Sequence, residues 1–277
     1  MRVEVAKAAG VCYGVERALK LAEEATTSGA PVHSLGPIIH NPQAVEYLRQ
    51  RGLEVVSSLD EVPEGTLVIR THGVPAETVE AASAMGLQVV DATCPYVKKV
   101  HRATESLAAE GYLVVIVGES DHPEVIGIRA RAGSDALVVE QAQELPDELS
   151  SRKVGVVVQT TQTERVLAEV VERLLPRVTE LRVFNTICDA TTQRQDSAFE
   201  LAGRVDVMVV VGGHNSGNTN RLAEICAEVN PNTHLVETAD ELDASWFAGA
   251  SVVGVTAGAS TPDAQTTQVV SVIEGIH

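Results

Sequence analysis

Three cysteines in this 277-residue chain occupy the same kind of local position. Cys12, Cys94 and Cys188 each stand directly before a stretch whose apolar residues recur with a helical period. The partial positive charge and unbonded N–H groups at a helix N-terminus favour the thiolate, which is the form of cysteine that binds metal. Three thiolates that converge would suit zinc or an iron–sulfur cluster.

The number of cysteines bears on which metal group they would hold. A [4Fe–4S] cluster takes four ligands, so three cysteines leave one iron open to act as a Lewis acid and to pass electrons to a substrate. A closed Cys₃His zinc site with His122 is the non-enzymatic alternative, although the close C-x₂-C pairs typical of zinc sites are absent from the sequence. Cys226 lies one helical turn after Leu222 in "NRLAEICAEV", and we assign it to the core.

Polar junctions recur after the cysteines. Cys12 is followed by His40, Cys94 by His122 and Cys188 by Ser216, each time after 28 residues. A third junction comes later, in "RTHGVP", "QTTQTE" and "TAGASTP", and a helical stretch follows each junction. The alternation of β-rich and helical stretches is typical of parallel sheets, whose strand-to-helix loops gather at one edge where ligands bind.

The repetition predicts the fold class and its division into domains. We expect an α/β protein of three small units with parallel sheets, arranged with pseudo-threefold symmetry around a central iron–sulfur site. The units are residues 1–93, 94–187 and 188–277, and each supplies one of the three cysteines.

The junction side chains indicate the charge of the ligand. Any one Ser, Thr or Asn here is typical of a helix N-cap, but neutral donors grouped at several helix N-termini form an anion site, particularly for phosphate. The donors are His40, His72, His122, Thr160, Thr161, Ser216, Asn218 and Ser260. Glu124 is the carboxyl group that we expect to donate a proton, because shielding from water raises the pKa of a carboxyl.

Composition excludes some partners. The formal net charge is −17, which disfavours nucleic acid and anionic membranes as partners. The longest apolar runs, such as 113–118 and 207–213, have the length of strands, and "MRVEVAK" contains no apolar core of a signal peptide. We therefore expect a cytoplasmic protein, in which cysteines are metal ligands, catalytic groups or core residues rather than disulfides.

Nine segments together resemble one family. They are "AGVCYGVERAL", "HNPQAVEYLRQRG", "THGVP", "DATCPYVKKVH", "HPEVIG", "QTTQTE", "TICDATTQRQ", "GGHNSGNTNRL" and "GVTAGASTP". In this order, and across nearly the whole chain, they are similar to the motifs of the 4-hydroxy-3-methylbut-2-enyl diphosphate reductase family. The resemblance implies an oxygen-sensitive [4Fe–4S] oxidoreductase at the last step of the non-mevalonate isoprenoid pathway.

The resemblance also implies the reaction and the role of each residue. The substrate would lose its allylic hydroxyl, with two electrons from a ferredoxin, a flavodoxin or a similar donor, to give isopentenyl and dimethylallyl diphosphates. Cys12, Cys94 and Cys188 would hold the cluster, Glu124 would relay the proton, and Thr161 would help to position the hydroxyl. The diphosphate pocket would be lined by His40, His72, His122, Ser216, Gly217, Asn218 and Ser260.

Two residues depart from the family pattern. Gly217 stands where a second serine is common, which removes one hydroxyl contact to phosphate unless a backbone N–H replaces it, and Asp121 stands where glycine is usual. A quinolinate-synthase-like dehydratase, which also has three repeats, three cysteines and an open iron, is the alternative enzyme. Its carboxylate substrates would call for arginine clamps, whereas these loops offer hydroxyls and imidazoles.

Overall fold

The computed structural model describes residues 1–276, and its strands form three four-stranded sheets in which every pairing is parallel. The strands are β1 (Arg2–Val5), β2 (Val32–Leu35), β3 (Leu53–Val56), β4 (Thr66–Ile69), β5 (Gln88–Asp91), β6 (Leu113–Val117), β7 (Leu137–Val139), β8 (Lys153–Val158), β9 (Glu180–Val183), β10 (Val207–Val211), β11 (Thr233–Val236) and β12 (Val252–Ala257). The predicted α/β class with three parallel sheets is therefore confirmed.

Helices connect the parallel strands. The α-helices are α1 (Tyr13–Thr26), α2 (Pro42–Arg49), α3 (Ala76–Ala84), α4 (Pro95–Ala109), α5 (Pro123–Arg129), α6 (Glu164–Leu174), α7 (Asp189–Ala202), α8 (Gly217–Val229) and α9 (Asp263–Glu274). Among the described residues, no helix combines the length and the apolar character needed to cross a bilayer.

The chain divides into two compact units, which we name after their positions in the sequence. The terminal unit consists of Met1–Glu16, Ile39–Glu46 and the chain from Asp189 onward, and its sheet has the order β1-β12-β10-β11. The central unit consists of Arg17–Ile38 and Tyr47–Cys188, and it contains the two sheets β3-β2-β4-β5 and β7-β6-β8-β9.

Strand β1 differs from the sequence-based division. The sequence places it in the unit 1–93, but it pairs with β12, from Arg2 opposite Val252 to Val5 opposite Val255. The alternation of strand and helix predicts where a strand lies along the chain, but it does not predict which strand pairs with it. Because β1 is an edge strand, it pairs on one side only, and no pattern in its sequence specifies that partner. The boundaries at 93 and 187 stay a prediction.

Valine-rich strands buried on both faces form the cores. Along β6, Leu113, Val115 and Val117 belong to the apolar cluster that includes residues of α6. Val114 and Ile116 belong to the opposite cluster, with residues of α4 and α5. Because helices cover both faces, the strand reads as a continuous apolar run, and polar side chains are left to the loops at the strand ends.

Local signals fix where several of these helices begin. Pro95 and Pro123 occupy the first position of α4 and α5, where a missing N–H costs nothing and the fixed φ suits a helix. Thr163 caps α6 by accepting a hydrogen bond from the Val166 N–H. Each start follows a strand-to-helix loop, so the caps also determine where the polar loop residues lie.

Candidate active site

Glu124 is a buried carboxyl at the start of α5 in the central unit. Its side chain is 2% exposed. The Thr160 N–H donates to its Oε1 at 2.7 Å and the Thr160 hydroxyl donates to its Oε2 at 2.8 Å. Helix α5 follows β6 and Thr160 follows the neighbouring strand β8, so the carboxyl bridges two loops at the same edge of one sheet.

Burial raises the pKa of Glu124 to about 7, although both hydrogen bonds from Thr160 oppose the shift and nearby Glu119 adds to it. An acid with a pKa near the working pH is well suited to donate a proton and then recover it. The structure thus bears out the expected upward shift, and burial is its main cause.

The raised pKa makes stability depend on pH. Because the folded state binds the Glu124 proton more tightly than the unfolded chain does, its contribution is complete below pH 4.5 and is lost as pH rises through about 7. A shift of this size corresponds to ~3 kcal/mol of unfolding free energy. The free energy of unfolding is measured with denaturant for wild type and for Glu124→Gln at pH 5 and pH 8. Relative to wild type, the variant is expected to be more stable at pH 8 than at pH 5. Parallel pH curves for the two proteins would contradict this expectation.

His122 lies beside Glu124 and has a defined hydrogen-bonding role. It is the N-cap of α5, and its Nδ1 accepts the Glu124 N–H at 3.1 Å. A neutral His122 ring therefore carries its proton on Nε2, where it can donate to an anion. The ring of His72, from the loop after β4, meets it edge-on with ring centroids 5.4 Å apart. The central unit thus brings His72, His122 and Glu124 together.

Thr160, rather than its neighbour, holds the carboxyl. Thr161 stays the residue that we expect to position the substrate hydroxyl, and its own hydroxyl accepts a hydrogen bond from Gln159 Nε2 at 3.0 Å. Gln159 is fully buried, and its Oε1 accepts the Glu119 N–H at 2.9 Å, which joins the two loops. The motif "QTTQTE" contains both threonines, but its letters alone do not show which side chain turns towards Glu124.

Cys94 and Cys188 both belong to the central unit, and each precedes a helix directly. Cys94 is the N-cap of α4, and its N–H donates to Thr71 O at 3.0 Å. The Cys188 N–H donates to Thr160 O at 3.1 Å, one residue before α7 begins. Both side chains are partly exposed. The backbone of Cys94 is therefore bonded to the loop that carries His72, and the backbone of Cys188 is bonded to Thr160, which holds Glu124.

Cys12 has the matching position in the terminal unit. Its N–H donates to Ala259 O at 3.1 Å, its carbonyl accepts the Glu16 N–H, and its side chain is partly exposed. Arg194, buried on α7, donates to Gly10 O at 2.8 Å and holds the loop before Cys12. Sequence inspection did not single out Arg194, since an arginine within "TTQRQ" looks like an exposed helix residue.

Asn218 is an unsatisfied donor in the terminal unit. The residue is 6% exposed, and its Nδ2 is buried without a hydrogen-bond partner among the described residues. Such burial costs about 1–3 kcal/mol, so an anion that accepts this bond would recover the cost. Next to it, Ser216 caps α8, and its hydroxyl oxygen accepts the Thr219 N–H at 3.4 Å. The same hydroxyl can still donate a hydrogen bond to another group.

His40 and Ser260 also come together in the terminal unit. The Ser260 hydroxyl donates to His40 O at 3.1 Å, although 220 residues separate them in the chain. The bond fixes the backbone from which the His40 ring projects. Gly217 begins α8 beside Ser216, and Asp121 is exposed next to the cap of α5.

Cys226 contrasts with the other three cysteines. It is fully buried in the cluster with Leu222 and Met208, and burial raises the pKa of its thiol to about 12. A thiol held in this way is a poor metal ligand because it resists deprotonation. The assignment of Cys226 to the core is confirmed, whereas the convergence of Cys12, Cys94 and Cys188 stays a prediction.

Comparisons with known proteins give one consistent result. A family model described as LytB protein matches residues 3–274. The 4-hydroxy-3-methylbut-2-enyl diphosphate reductase of Pelobacter propionicus is 51% identical, and the match covers 95% of this chain and 94% of that protein. The protein of the same name from Aquifex aeolicus is also 51% identical, with 98% and 96% covered.

Two solved structures are similar over almost the whole chain. One is (E)-4-hydroxy-3-methyl-but-2-enyl diphosphate reductase, described as the terminal enzyme of the non-mevalonate pathway, with 49% identity, a TM-score of 0.73 and complete coverage of both chains. The other is the E-1-hydroxy-2-methyl-but-2-enyl-4-diphosphate reductase of Plasmodium falciparum, with 29% identity and a TM-score of 0.91, covering 98% of this chain and 87% of that one.

Proposed function

Since this chain belongs to the LytB family, and its curated relatives are 4-hydroxy-3-methylbut-2-enyl diphosphate reductases, we infer that it is a reductase of the same reaction. It acts on an allylic diphosphate at the terminal step of the non-mevalonate pathway. Two electrons and two protons are consumed, the allylic C–O bond breaks, water leaves, and isopentenyl and dimethylallyl diphosphates form.

Cys12, Cys94 and Cys188 are the residues that would hold a [4Fe–4S] cluster. All three are partly exposed thiols at helix starts, which is the setting that favours thiolate, whereas Cys226 is buried and resists ionisation. The donor set therefore fits the cluster that the family resemblance implies. When bound, the cluster supplies low-potential electrons and an open iron that acts as a Lewis acid. A ferredoxin, a flavodoxin or a similar protein would provide the electrons.

Glu124 supplies the proton that lets the hydroxyl leave as water. Its burial and its pKa of about 7 keep a fraction of the carboxyl protonated at neutral pH. Thr160 holds both carboxyl oxygens, so the acid has a fixed orientation before substrate arrives. Proximity of a fixed acid to the leaving oxygen removes an entropic cost from the step. Thr161 would contact the substrate hydroxyl from the same loop.

Polar groups from several loops would bind the diphosphate. The observation that most strongly supports an anion here is the buried, unsatisfied Nδ2 of Asn218 at the first turn of α8. The Ser216 hydroxyl and the N-terminal N–H groups of α8 add donors at the same place. His40, His72, His122 and Ser260 complete the proposed pocket. Hydroxyls, imidazoles, an amide and backbone N–H groups would thus hold the anion in a protein whose formal net charge is −17.

Restoring serine at position 217 tests the departure from the family pattern. The backbone of Gly217 does not have a positive φ, so serine fits its conformation without strain. If a missing hydroxyl weakens phosphate binding, Gly217→Ser is expected to lower KM by roughly three- to tenfold, the scale of one typical net hydrogen bond. An unchanged KM would mean that the backbone N–H already provides the contact.

Turnover under anaerobic conditions tests the reaction directly. Anaerobically prepared enzyme is incubated with (E)-4-hydroxy-3-methylbut-2-enyl diphosphate and a low-potential reductant, and the isoprenoid products are separated and quantified. We expect isopentenyl and dimethylallyl diphosphates in a sample that contains iron and sulfide. A colourless sample with stoichiometric zinc and no products would support the Cys₃His zinc alternative instead.

A further inference from the structure

Arg131 ties together two segments that carry proposed site residues of the central unit. We propose that Arg131 is a positioning residue of the reductase reaction, which sets the placement of the His72 loop relative to the α5 segment that carries His122 and Glu124. The inference rests on the proposed function, because it assigns Arg131 an effect on substrate through His72.

The guanidinium of Arg131 makes three contacts on three different segments. Its Nη1 donates to Val74 O at 3.1 Å, in the loop two residues after His72. The same Nη1 donates to Gly127 O at 2.6 Å, inside α5 and three residues after Glu124. Its Nε donates to Glu105 Oε1 at 3.1 Å, on α4, and its side chain is only 12% exposed. One rigid side chain thus links the loop and both helices.

The ring of His101 on α4 limits how closely these segments can approach. A β-carbon placed on Gly73 would lie 2.8 Å from His101 Cε1, and one placed on Gly127 would lie 3.4 Å from its Nε2. His101 is buried, and burial together with Arg131 lowers its pKa to about 4, so the ring stays neutral at neutral pH. His101 therefore limits how closely the His72 loop and α5 can approach, while Arg131 holds them together by hydrogen bonds to both.

The start of α4 is attached to the same loop. The Cys94 N–H donates to Thr71 O, and the Thr93 methyl carbon would lie 3.2 Å from a β-carbon on Gly73. A change in the position of the loop is therefore resisted at its beginning by Cys94 and at its end by Arg131. Lysine could not replace Arg131 fully, because an ammonium group lacks the planar fork that reaches three acceptors.

Space beside the loop makes the Arg131 contacts important. A cavity of about 250 Å³ is bordered by Val74, His101, Glu105 and Arg131. The Val74 side chain packs in an apolar cluster with Ile69 and Leu87, and the hydrogen bond to Val74 O adds to that packing where the cavity leaves space. Without that bond the loop is held less firmly, and His72 would shift with it.

Steady-state kinetics of the cluster-loaded enzyme separates positioning from simple stabilisation. Arg131→Met is expected to raise KM for the allylic diphosphate about tenfold, the scale of one lost charge-assisted hydrogen bond. The kcat value is expected to stay within about twofold, since Thr160 still holds Glu124 and a loss of binding that is equal in the ground state and the transition state leaves kcat unaltered. A purely structural role would instead lower the melting temperature and the active fraction with KM unchanged.

Arg177→Met is the matched control. Arg177 also donates to backbone carbonyls, of Pro146 and of Asp147, and it lies in the same unit outside the loops of the site. Its loss is expected to leave KM unchanged. If Arg131→Met does not fold, Arg131→Lys keeps the charge and carries the same comparison, with a smaller rise in KM.

A double-variant cycle tests whether Arg131 acts through His72. In a His72→Gln background, Arg131→Met is expected to change KM by less than about twofold, because coupled residues have non-additive effects. A full, additive effect in that background would overturn the proposal, as would a KM for Arg131→Met equal to that of the Arg177 control. Absence of reductase activity in wild type would instead refute the proposed function.

Discussion

Glu124→Gln is expected to lower kcat by about two to four orders of magnitude, the range for loss of a positioned general acid. Glutamine has nearly the same shape and can still accept a hydrogen bond from Thr160, but it has no acidic proton to give to the leaving hydroxyl. Iron and sulfide content are expected to match wild type. The measurement is single-turnover product formation with chemically reduced enzyme.

The pH profile of the wild-type enzyme provides a second test of Glu124. Because the neutral carboxyl is the active form, the rate is expected to fall as pH rises through about 7. The matched control is Glu164→Gln, which makes the same chemical change on an exposed residue at the first turn of α6. Near-normal turnover by Glu124→Gln, or an equal loss in the control, would remove the proton-donor role.

Cys94→Ala is expected to lower bound iron more than about tenfold and to abolish turnover. Residues that only orient a metal ligand already contribute about 10–100-fold to affinity, so loss of a ligand has a larger effect. Cys94 caps α4 through its backbone and has no side-chain cap bond, so the helix is expected to survive the change. Iron and acid-labile sulfide are measured after anaerobic reconstitution.

Cys226→Ala is the matched control for the cysteine experiment. Its thiol is fully buried among apolar residues and donates a weak hydrogen bond to Ala198 O at 3.8 Å. Iron content is expected to equal that of wild type, with a modest loss of stability from the small cavity. Loss of iron from Cys226→Ala, with full iron in Cys94→Ala, would reverse the assignment of ligand and core cysteines.

Parallel sheets could be predicted from the sequence because their strands are buried on both faces. Runs such as "VMVVV" in β10 are apolar throughout, and helical stretches with clear periodicity separate them. Strand β1 was harder to place, because its partner β12 lies about 250 residues away and no local signal specifies that pairing. Position along the chain is a local property, whereas sheet partnership is not.

The candidate site shows the same division between local and distant information. The burial of Glu124 and its raised pKa could be anticipated from its place between a buried strand and a helix start. The sequence could not show whether Thr160 or Thr161 would contact Glu124, since the side chains of adjacent residues point to different sides and only the fold determines which one reaches the carboxyl. The sequence did not predict the roles of Arg194 and Arg131, because the acceptors of their hydrogen bonds are backbone carbonyls of distant segments.

Mössbauer spectroscopy of ⁵⁷Fe-enriched, anaerobically prepared protein tests the central claim most directly, namely that three cysteines hold a cluster whose open iron takes the substrate. The account predicts a [4Fe–4S] spectrum in which one iron site is distinct and changes when the allylic diphosphate is added. A spectrum with equivalent, fully thiolate-bound irons that does not respond to the diphosphate would contradict it, as would a protein without iron.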